Sequence, residues 1–327
     1  NCYSHLEEIR QYYDDEYYFY RSYKPRYFTE LTVTDGILRS NVLKGYGLTV
    51  LNIGANVVGI EEYFAHDLAL KEVHFDENIK ISNIPDNTFT KNSLTSIVIP
   101  SSVRRLGNAF SNNLLEEIVL NEGLEIIDGS FINARVTSID FPDSLIEIGM
   151  ASFKACPYLE SVVFPKNLKK IGEQAFQLNR KLEEVVFSNS ITDIGGSSFS
   201  HCPVKKVVIP EGMQAIVEFT FRYCENLEIV VIGGNVTEIG SQTFADCPSL
   251  ETVVIPDSVT SISEDAFANA SENMVIYCNE GSYAQEYAIQ NNIKYTTLVL
   301  DAMPNQTYTG KAIEPVVKAK ANNRQLV

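Results

Sequence analysis

One phrase of about 22 residues is repeated ten times along the chain, and it constrains the fold more than any other feature. Clear copies read LESVVFPKNLKKIGEQAF at 159–176 and LETVVIPDSVTSISEDAF at 250–267. The copies begin 21 to 24 residues apart, from Leu48 to Leu250. Self-similarity at such a period is typical of solenoids, so the sequence predicts a stack of similar coils.

The first six residues of each copy predict a β-strand with one buried face. Positions one, four and six are apolar, as in Leu159, Val162 and Phe164, and this alternation is typical of a half-buried strand. Pro often follows and ends the strand, because it has no N–H for a ladder. Since leucine-rich repeats have periods of roughly 20–29 residues, we predict a leucine-rich-repeat solenoid. It would have about ten coils of 21–24 residues with one main parallel β-sheet, capped at both ends.

The second half of each copy predicts a turn and a buried aromatic column. Position nine is small or turn-forming in every copy, which suits a tight turn. A Phe then recurs once per copy, and stacking of coils would bury these rings as a continuous spine. The column comprises Phe64, Phe89, Phe110, Phe131, Phe153, Phe176, Phe199, Phe221, Phe244 and Phe267.

The two ends differ from the repeat and suggest four segments. Residues 1–29 are rich in Tyr and Phe and are predicted to cap the first coil; an aromatic face for a carbohydrate or a partner is the alternative. Residues 30–272 form the solenoid, and 273–298 predict a strand–helix–strand cap, because a last coil must shield its core. Residues 299–327 look like the start of a truncated second module, so we expect the sequence to be a segment of a longer protein.

Composition excludes several classes of partner. The net charge of −16 argues against nucleic acid and favours cationic or neutral partners. No apolar run is long enough to span a membrane. Basic residues at 166–181 belong to two neighbouring copies and predict a solvated flank, with a local anionic contact as the alternative.

The chain shows no motif for catalysis, a metal or a cofactor. We therefore predict a protein that is not an enzyme and needs no metal or cofactor.

Cys156, Cys202, Cys224 and Cys247 stand three residues after a Phe, where other copies have Asn. A small residue in a repeated position suggests packing, so we predict buried free thiols. A disulfide between neighbouring coils is the alternative. His201 lies next to Cys202, but adjacent side chains are expected to point apart.

Positions three and five of each strand should face away from the core. Position five is mostly Val, either because Val suits any strand or because a partner covers an apolar stripe there. Polar residues at position three would orient such a partner. The predicted ligand-binding residues are Val119, Asp140, Val163, Glu184, Val186, Lys206, Val208 and Val231.

The phrases LTSIVIPSSVRRLGNAF, VTSIDFPDSLIEIGMASFKAC and LETVVIPDSVTSISEDAF resemble the BspA-like leucine-rich repeats of bacterial surface proteins. The resemblance covers residues 30–298, and the tail QTYTGKAIEPVVKAK is similar to the opening of bacterial Ig-like modules. The resemblance implies an extracellular, cell-surface or secreted protein that adheres to host or bacterial surfaces. The first hypothesis is therefore a non-catalytic binding and adhesion module for a surface protein or glycan. The alternative is a structural spacer that presents neighbouring modules.

Overall fold

The structure is a computed structural model that describes residues 29–44, 46–297, 319–321 and 324–326. Residues 29–297 wind into a parallel-strand solenoid of about 12 turns with almost no helix, which confirms the predicted leucine-rich-repeat fold. The turns outnumber the ten predicted coils because the segments before Leu48 and after the last Phe wind in the same way. The predicted N-terminal cap lies outside the described residues except for Thr29.

The longer strands lie side by side on one side of the solenoid, whose outward surface we call the strand face. In chain order they are β1 (Glu30–Leu38), β2 (Val50–Ile60), β3 (Glu72–Phe75), β5 (Ser96–Ile99), β7 (Glu117–Leu120), β10 (Ser161–Val163), β12 (Glu184–Val186), β14 (Lys206–Val208), β16 (Ile229–Val231), β18 (Thr252–Val254), β20 (Val275–Cys278) and β21 (Lys294–Thr297).

Hydrogen bonding divides this layer into four segments instead of one continuous sheet. The segments are β1–β2–β3, β5–β7, β10–β12 and β14–β16–β18–β20–β21, and every pairing within them is parallel. In the coil that contains Asp140, the described residues form no strand in this layer. The register of adjacent coils nevertheless holds, since Val163 lies opposite Val186 and Val208 opposite Val231.

A second layer of two-residue strands, which the repeat pattern did not predict, runs along another side. Each strand ends on an Ile, or in one coil on Leu106, that recurs once per coil and that we call the Ile column. The strands pair in parallel as two ladders. They are β4 (Asn83–Ile84), β6 (Arg105–Leu106), β8 (Ile126–Ile127), β9 (Glu147–Ile148), β11 (Lys170–Ile171), β13 (Asp193–Ile194), β15 (Ala215–Ile216), β17 (Glu238–Ile239) and β19 (Ser261–Ile262).

The Phe column is the core of the solenoid. All ten rings are buried. From Phe89 to Phe267 each ring stacks on the next with centroids 5.3 to 5.9 Å apart. Phe64 meets Phe89 edge to face instead, at 6.5 Å. Offset aromatic pairs at such distances are stabilising, so the predicted spine joins each coil to the next.

A strand–helix–strand unit closes the C-terminal end, as the sequence predicts. Helix α1 (Tyr283–Gln290) lies between β20 and β21 and begins at Ser282, whose hydroxyl accepts a hydrogen bond from the Gln285 N–H. Its buried Tyr287 packs on Phe267 with ring centroids 6.1 Å apart. The helix thereby covers the last ring of the spine. Beyond it, β22 (Ala319–Ala321) and β23 (Arg324–Leu326) pair antiparallel.

Turns and glycines let the coils approach closely. After the strand, the carbonyl of a Pro or of another residue in its place accepts a hydrogen bond from the N–H three residues on. The Leu168 N–H, for example, donates to the Pro165 carbonyl at 3.1 Å, so the small residue at position nine lies in a β-turn. Gly172 directly follows Ile171, at a point where the backbones of neighbouring coils are in contact. A Cβ there would lie 2.6 Å from the carbonyl carbon of Gly149. Only glycine therefore fits this contact.

The position three residues after each Phe joins neighbouring coils by hydrogen bonds. The Asn179 amide accepts from the Cys156 N–H at 2.7 Å and donates to the Phe153 carbonyl at 3.0 Å. The Cys202 thiol donates to the carbonyl of Phe176 at 3.1 Å. The prediction of a packing position was therefore incomplete, because both residue types also satisfy buried backbone groups.

Candidate functional site

The strand face carries two parallel lines of outward side chains, from positions three and five of each coil. At position three, Ser161 lies opposite Glu184; at position five, Val163 lies opposite Val186. Cross-strand neighbours of this kind are close enough to contact one partner together. In this paired segment the face thus offers one polar line and one apolar line.

The predicted ligand-binding residues differ in exposure. Val163, with 42% of its surface exposed, and Asp140 and Glu184 are open to solvent, while Val119, Val186, Lys206 and Val208 are half-buried. Val163, Glu184 and Val186 lie in one paired segment. Lys206 and Val208 start the next segment, whereas Val119 and Asp140 lie outside both.

The prediction that Val231 faces solvent is wrong. Its exposed fraction is 2%, although it occupies position five. In this part of the face, position three is Ile229 instead of a charged residue, and Val254 and Tyr277 continue the position-five line beyond Val231. Apolar neighbours on three sides can shield one another, so the accessible Val stripe ends at Val208.

A cleft of about 650 Å³ lies between β3 and β5, and the sequence did not predict it. The two strands belong to different hydrogen-bonded segments, and the coil that begins at Leu70 is the longest, with a step of 24 residues. Glu72, His74 and Val98 line the cleft together with turn residues. The irregular length of this coil was the sequence signal that could have predicted the cleft, because an insertion must displace one strand from its neighbour.

The basic residues at 166–181 do not form one patch. Lys166 pairs with Asp143, and Lys170 pairs with Glu147 at 3.1 Å, in each case with the preceding coil. The hydrogen bond to Glu147 raises the pKa of Lys170 above its ordinary value. These pairs lie on the solvated flank that was predicted, where ion pairs contribute little to stability.

The four thiols in the position three residues after the Phe column are not reactive groups at the surface. Cys156, Cys202, Cys224 and Cys247 are buried and free, which confirms the prediction. Burial raises the pKa of Cys156, Cys202 and Cys247 to about 12, so they remain protonated and unreactive at neutral pH. His201 is half-buried, and its Nδ1 lies 2.9 Å from the Ser200 hydroxyl. Its ring and the buried Cys202 thiol therefore have different partners.

Within the described part of the chain, no group of three or more His, Cys, Asp or Glu side chains is placed to hold a metal ion. None of the helices among the same residues is long and apolar enough to cross a membrane.

The repeat, the parallel strands and the stacked Phe column together define a leucine-rich-repeat solenoid. The profile of the BspA type leucine rich repeat region, in 6 copies, matches residues 37–160 and 146–274. The chain belongs to this family.

Two solved structures illustrate the likeness. A leucine-rich repeat protein from Bacteroides ovatus shares the fold with a TM-score of 0.51 and 19% identity, over 86% of this chain and 97% of that chain. A leucine rich cell surface protein from Faecalibacterium prausnitzii has a TM-score of 0.45 and 21% identity, over 81% and 91%. No curated protein matches the chain significantly.

Proposed function

We propose that this chain is a non-catalytic, extracellular binding and adhesion module, and that it recognises a surface protein or glycan along the strand face between Val119 and Val208. The carrying observation is the paired segment around Val163. An exposed Val lies opposite a half-exposed Val186, beside the polar pair Ser161 and Glu184. Apolar contacts edged by polar groups are typical of recognition surfaces.

The shape of the fold supports this role. Each coil contributes only two outward side chains to the strand face, so one contact is weak, but successive coils repeat it at a fixed spacing. An extended partner would therefore gain from many contacts at once. Family membership supports the extracellular setting and a role without catalysis.

A triple variant tests the site. Val163→Thr, Val186→Thr and Val208→Thr together keep the side-chain shape and strand propensity but remove three apolar methyl groups. Binding would be measured by biolayer interferometry on immobilised collagen, fibronectin and laminin and on a glycan array. We expect the triple variant to bind any ligand of the parent at least about tenfold more weakly. Such a loss corresponds to only about 1.4 kcal/mol of binding free energy.

The matched control changes exposed apolar residues off the strand face. Ile146→Thr with Met150→Thr alters two exposed side chains near the second layer of strands and should bind like the parent. Equal binding by the triple variant and the parent would refute the strand face as the site. If the parent bound none of these surfaces, the result would favour the alternative function, a structural spacer that presents neighbouring modules.

A further inference from the structure

A second group of outward side chains lies on the corner of the coil that follows the Phe column, away from the strand face. It combines aromatic rings and cationic groups from four successive coils, and we call it the corner cluster. Its members are Tyr158, Arg180, Lys181, His201, Arg222 and Tyr223.

The cluster is held together by ring and cation contacts between coils. The His201 and Tyr223 rings lie 4.5 Å apart between centroids with planes tilted by 36°. The Arg222 guanidinium carbon lies 4.5 Å from the Tyr223 ring centroid. The Lys181 ammonium lies 5.3 Å from the centroid of Tyr158, whose exposed fraction is 45%. Cations over aromatic faces at these distances attract the ring.

The cluster carries cationic charge that the protein leaves open to solvent. Arg180 and Lys181 are exposed, and neither forms an ion pair with another residue of the described ranges. Arg222 is partly neutralised by Asp246, at 3.0 Å. Arg180 and Arg222 both lower the pKa of His201, after desolvation as the largest cause, whereas Glu225 raises it. In a chain with a net charge of −16, Arg180 and Lys181 are thus two adjacent exposed cations without an ion pair among the described residues.

One backbone position in the corner cluster suits Asn but holds Tyr223. The second residue after the Phe takes a left-handed backbone in successive coils, where Lys91, Asn112, Asn133, Ala155, Leu178, His201, Asp246 and Asn269 stand in the others. Asn tolerates this conformation, whereas a bulky residue such as Tyr223, at φ 61°, is disfavoured. The coil thus retains a strained Tyr where Asn would fit better.

We propose that the corner cluster binds an acidic polysaccharide, whose carboxylate or sulfate groups contact Arg180, Lys181 and His201 while a sugar ring packs on the His201–Tyr223 pair. Guanidinium and ammonium groups form the stronger, charge-assisted hydrogen bonds with such anions. The faces of Tyr and His rings suit the C–H surface of a pyranose because they are flat, partly apolar and rimmed by polar atoms. Successive coils repeat the cations along the solenoid, as a polymer repeats its acidic groups.

An acidic polysaccharide fits better than an acidic peptide because two of the cationic groups, Lys181 and Arg222, lie over aromatic rings. A peptide carboxylate would need only the cations. The net charge of −16 repels both ligands at long range, so binding of a polyanion to this chain must be local. This site is separate from the strand face, and either can fail without the other.

The test uses size-matched oligosaccharides and the histidine signals of the whole chain. Heparin fragments supply sulfate, hyaluronan fragments supply carboxylate, and dextran is the neutral control; poly-glutamate represents an acidic peptide. Binding is measured by calorimetry, and His201 is followed by NMR during a pH titration. We expect heparin or hyaluronan to bind and to raise the pKa of His201, because a bound anion favours the protonated ring. The ring signals of His74, on the strand face, should not move when the oligosaccharide is added.

Two variants separate binding from folding. Arg180→Gln with Lys181→Gln should weaken binding by at least about tenfold. Tyr223→Asn should raise the denaturation midpoint, because it relieves the left-handed strain, and still weaken binding. Equal binding of dextran, tighter binding of poly-glutamate, no binding of either acidic oligosaccharide, or binding that both variants leave unchanged would overturn the proposal.

Discussion

The rings of Phe176 and Phe199 lie parallel to within 2°, with centroids 5.4 Å apart. Each also stacks on the Phe of the coil beyond it, Phe153 on one side and Phe221 on the other. A ring in the middle of this column therefore supports three coils at once, and its loss cannot be compensated by one neighbour.

Phe176→Ala should lower the free energy of unfolding by about 3–5 kcal/mol, since it removes a buried aromatic side chain and leaves a cavity. Urea unfolding followed by circular dichroism would measure this loss. Phe219→Ala is the matched control, because Phe219 is only half-buried, and it should cost much less. Similar losses in the two variants would contradict the role of the spine.

Gly172→Ala should destabilise the protein by about 1–3 kcal/mol, because the added methyl group would meet backbone atoms that cannot rotate away. Gly59→Ala provides the control, since its Cβ would lie 3.9 Å from the nearest atom of the Ile37 side chain. Thermal unfolding of both variants would compare them. A Gly172 variant as stable as the parent would show that the coils can separate without loss.

Val231→Ser should cost about 1.5–3 kcal/mol, because it removes a buried apolar side chain. Val163→Ser, at the same position of an earlier coil, should change the free energy of unfolding by no more than about 0.5 kcal/mol. Denaturant midpoints of the two variants would show the difference. If both variants lost the same stability, Val163 would also belong to the core.

The thiols of Cys156, Cys202, Cys224 and Cys247 should not react with a maleimide in the native protein and should react fully in denaturant, because they are buried. Mass spectrometry of the labelled peptides would assign each site. Cys278, also buried and free, should behave in the same way. Rapid native labelling of any of these five would indicate a local opening of its coil.

The free energy of unfolding should fall at high pH, and ionisation of the Cys202 thiol in the unfolded chain accounts for part of this fall. Burial raises the pKa of its thiol from 9.0 to about 12. Above about pH 9 the unfolded chain loses this proton while the folded chain retains it, which favours unfolding by up to about 1.4 kcal/mol per pH unit until about pH 12. The contribution is constant below about pH 9.

Cys202→Ser supplies the comparison, since its hydroxyl does not ionise in this range and can still donate to the Phe176 carbonyl. Urea titrations of both proteins from about pH 7 to about pH 11 should give curves that converge as the pH rises. A constant difference between them would mean that the thiol ionises equally in the folded and unfolded states.

The sequence was sufficient for the features that recur in every coil. The Phe column, the turn after each strand and the strand–helix–strand cap follow from local patterns that stacking then reinforces. The short strands of the second layer were missed because two residues are too few to show a period. Alternation placed Val231 on the outward side, but its burial depends on Ile229 in the same strand and on Val254, which lies opposite it in the next coil. The corner cluster is recognisable in sequence only after coils are aligned on the Phe, which brings His201 and Tyr223 into one column.

The contact of Tyr287 with Phe267 has a consequence for how such chains can vary in length. Among the described residues, the Tyr287 ring packs on one ring of the spine, and every interior coil presents a Phe of the same kind. The C-terminal unit should therefore pack on any coil, so deletion or duplication of one whole repeat should leave this contact intact. The length of the strand face can therefore change by one coil at a time, while each remaining coil keeps its own outward side chains.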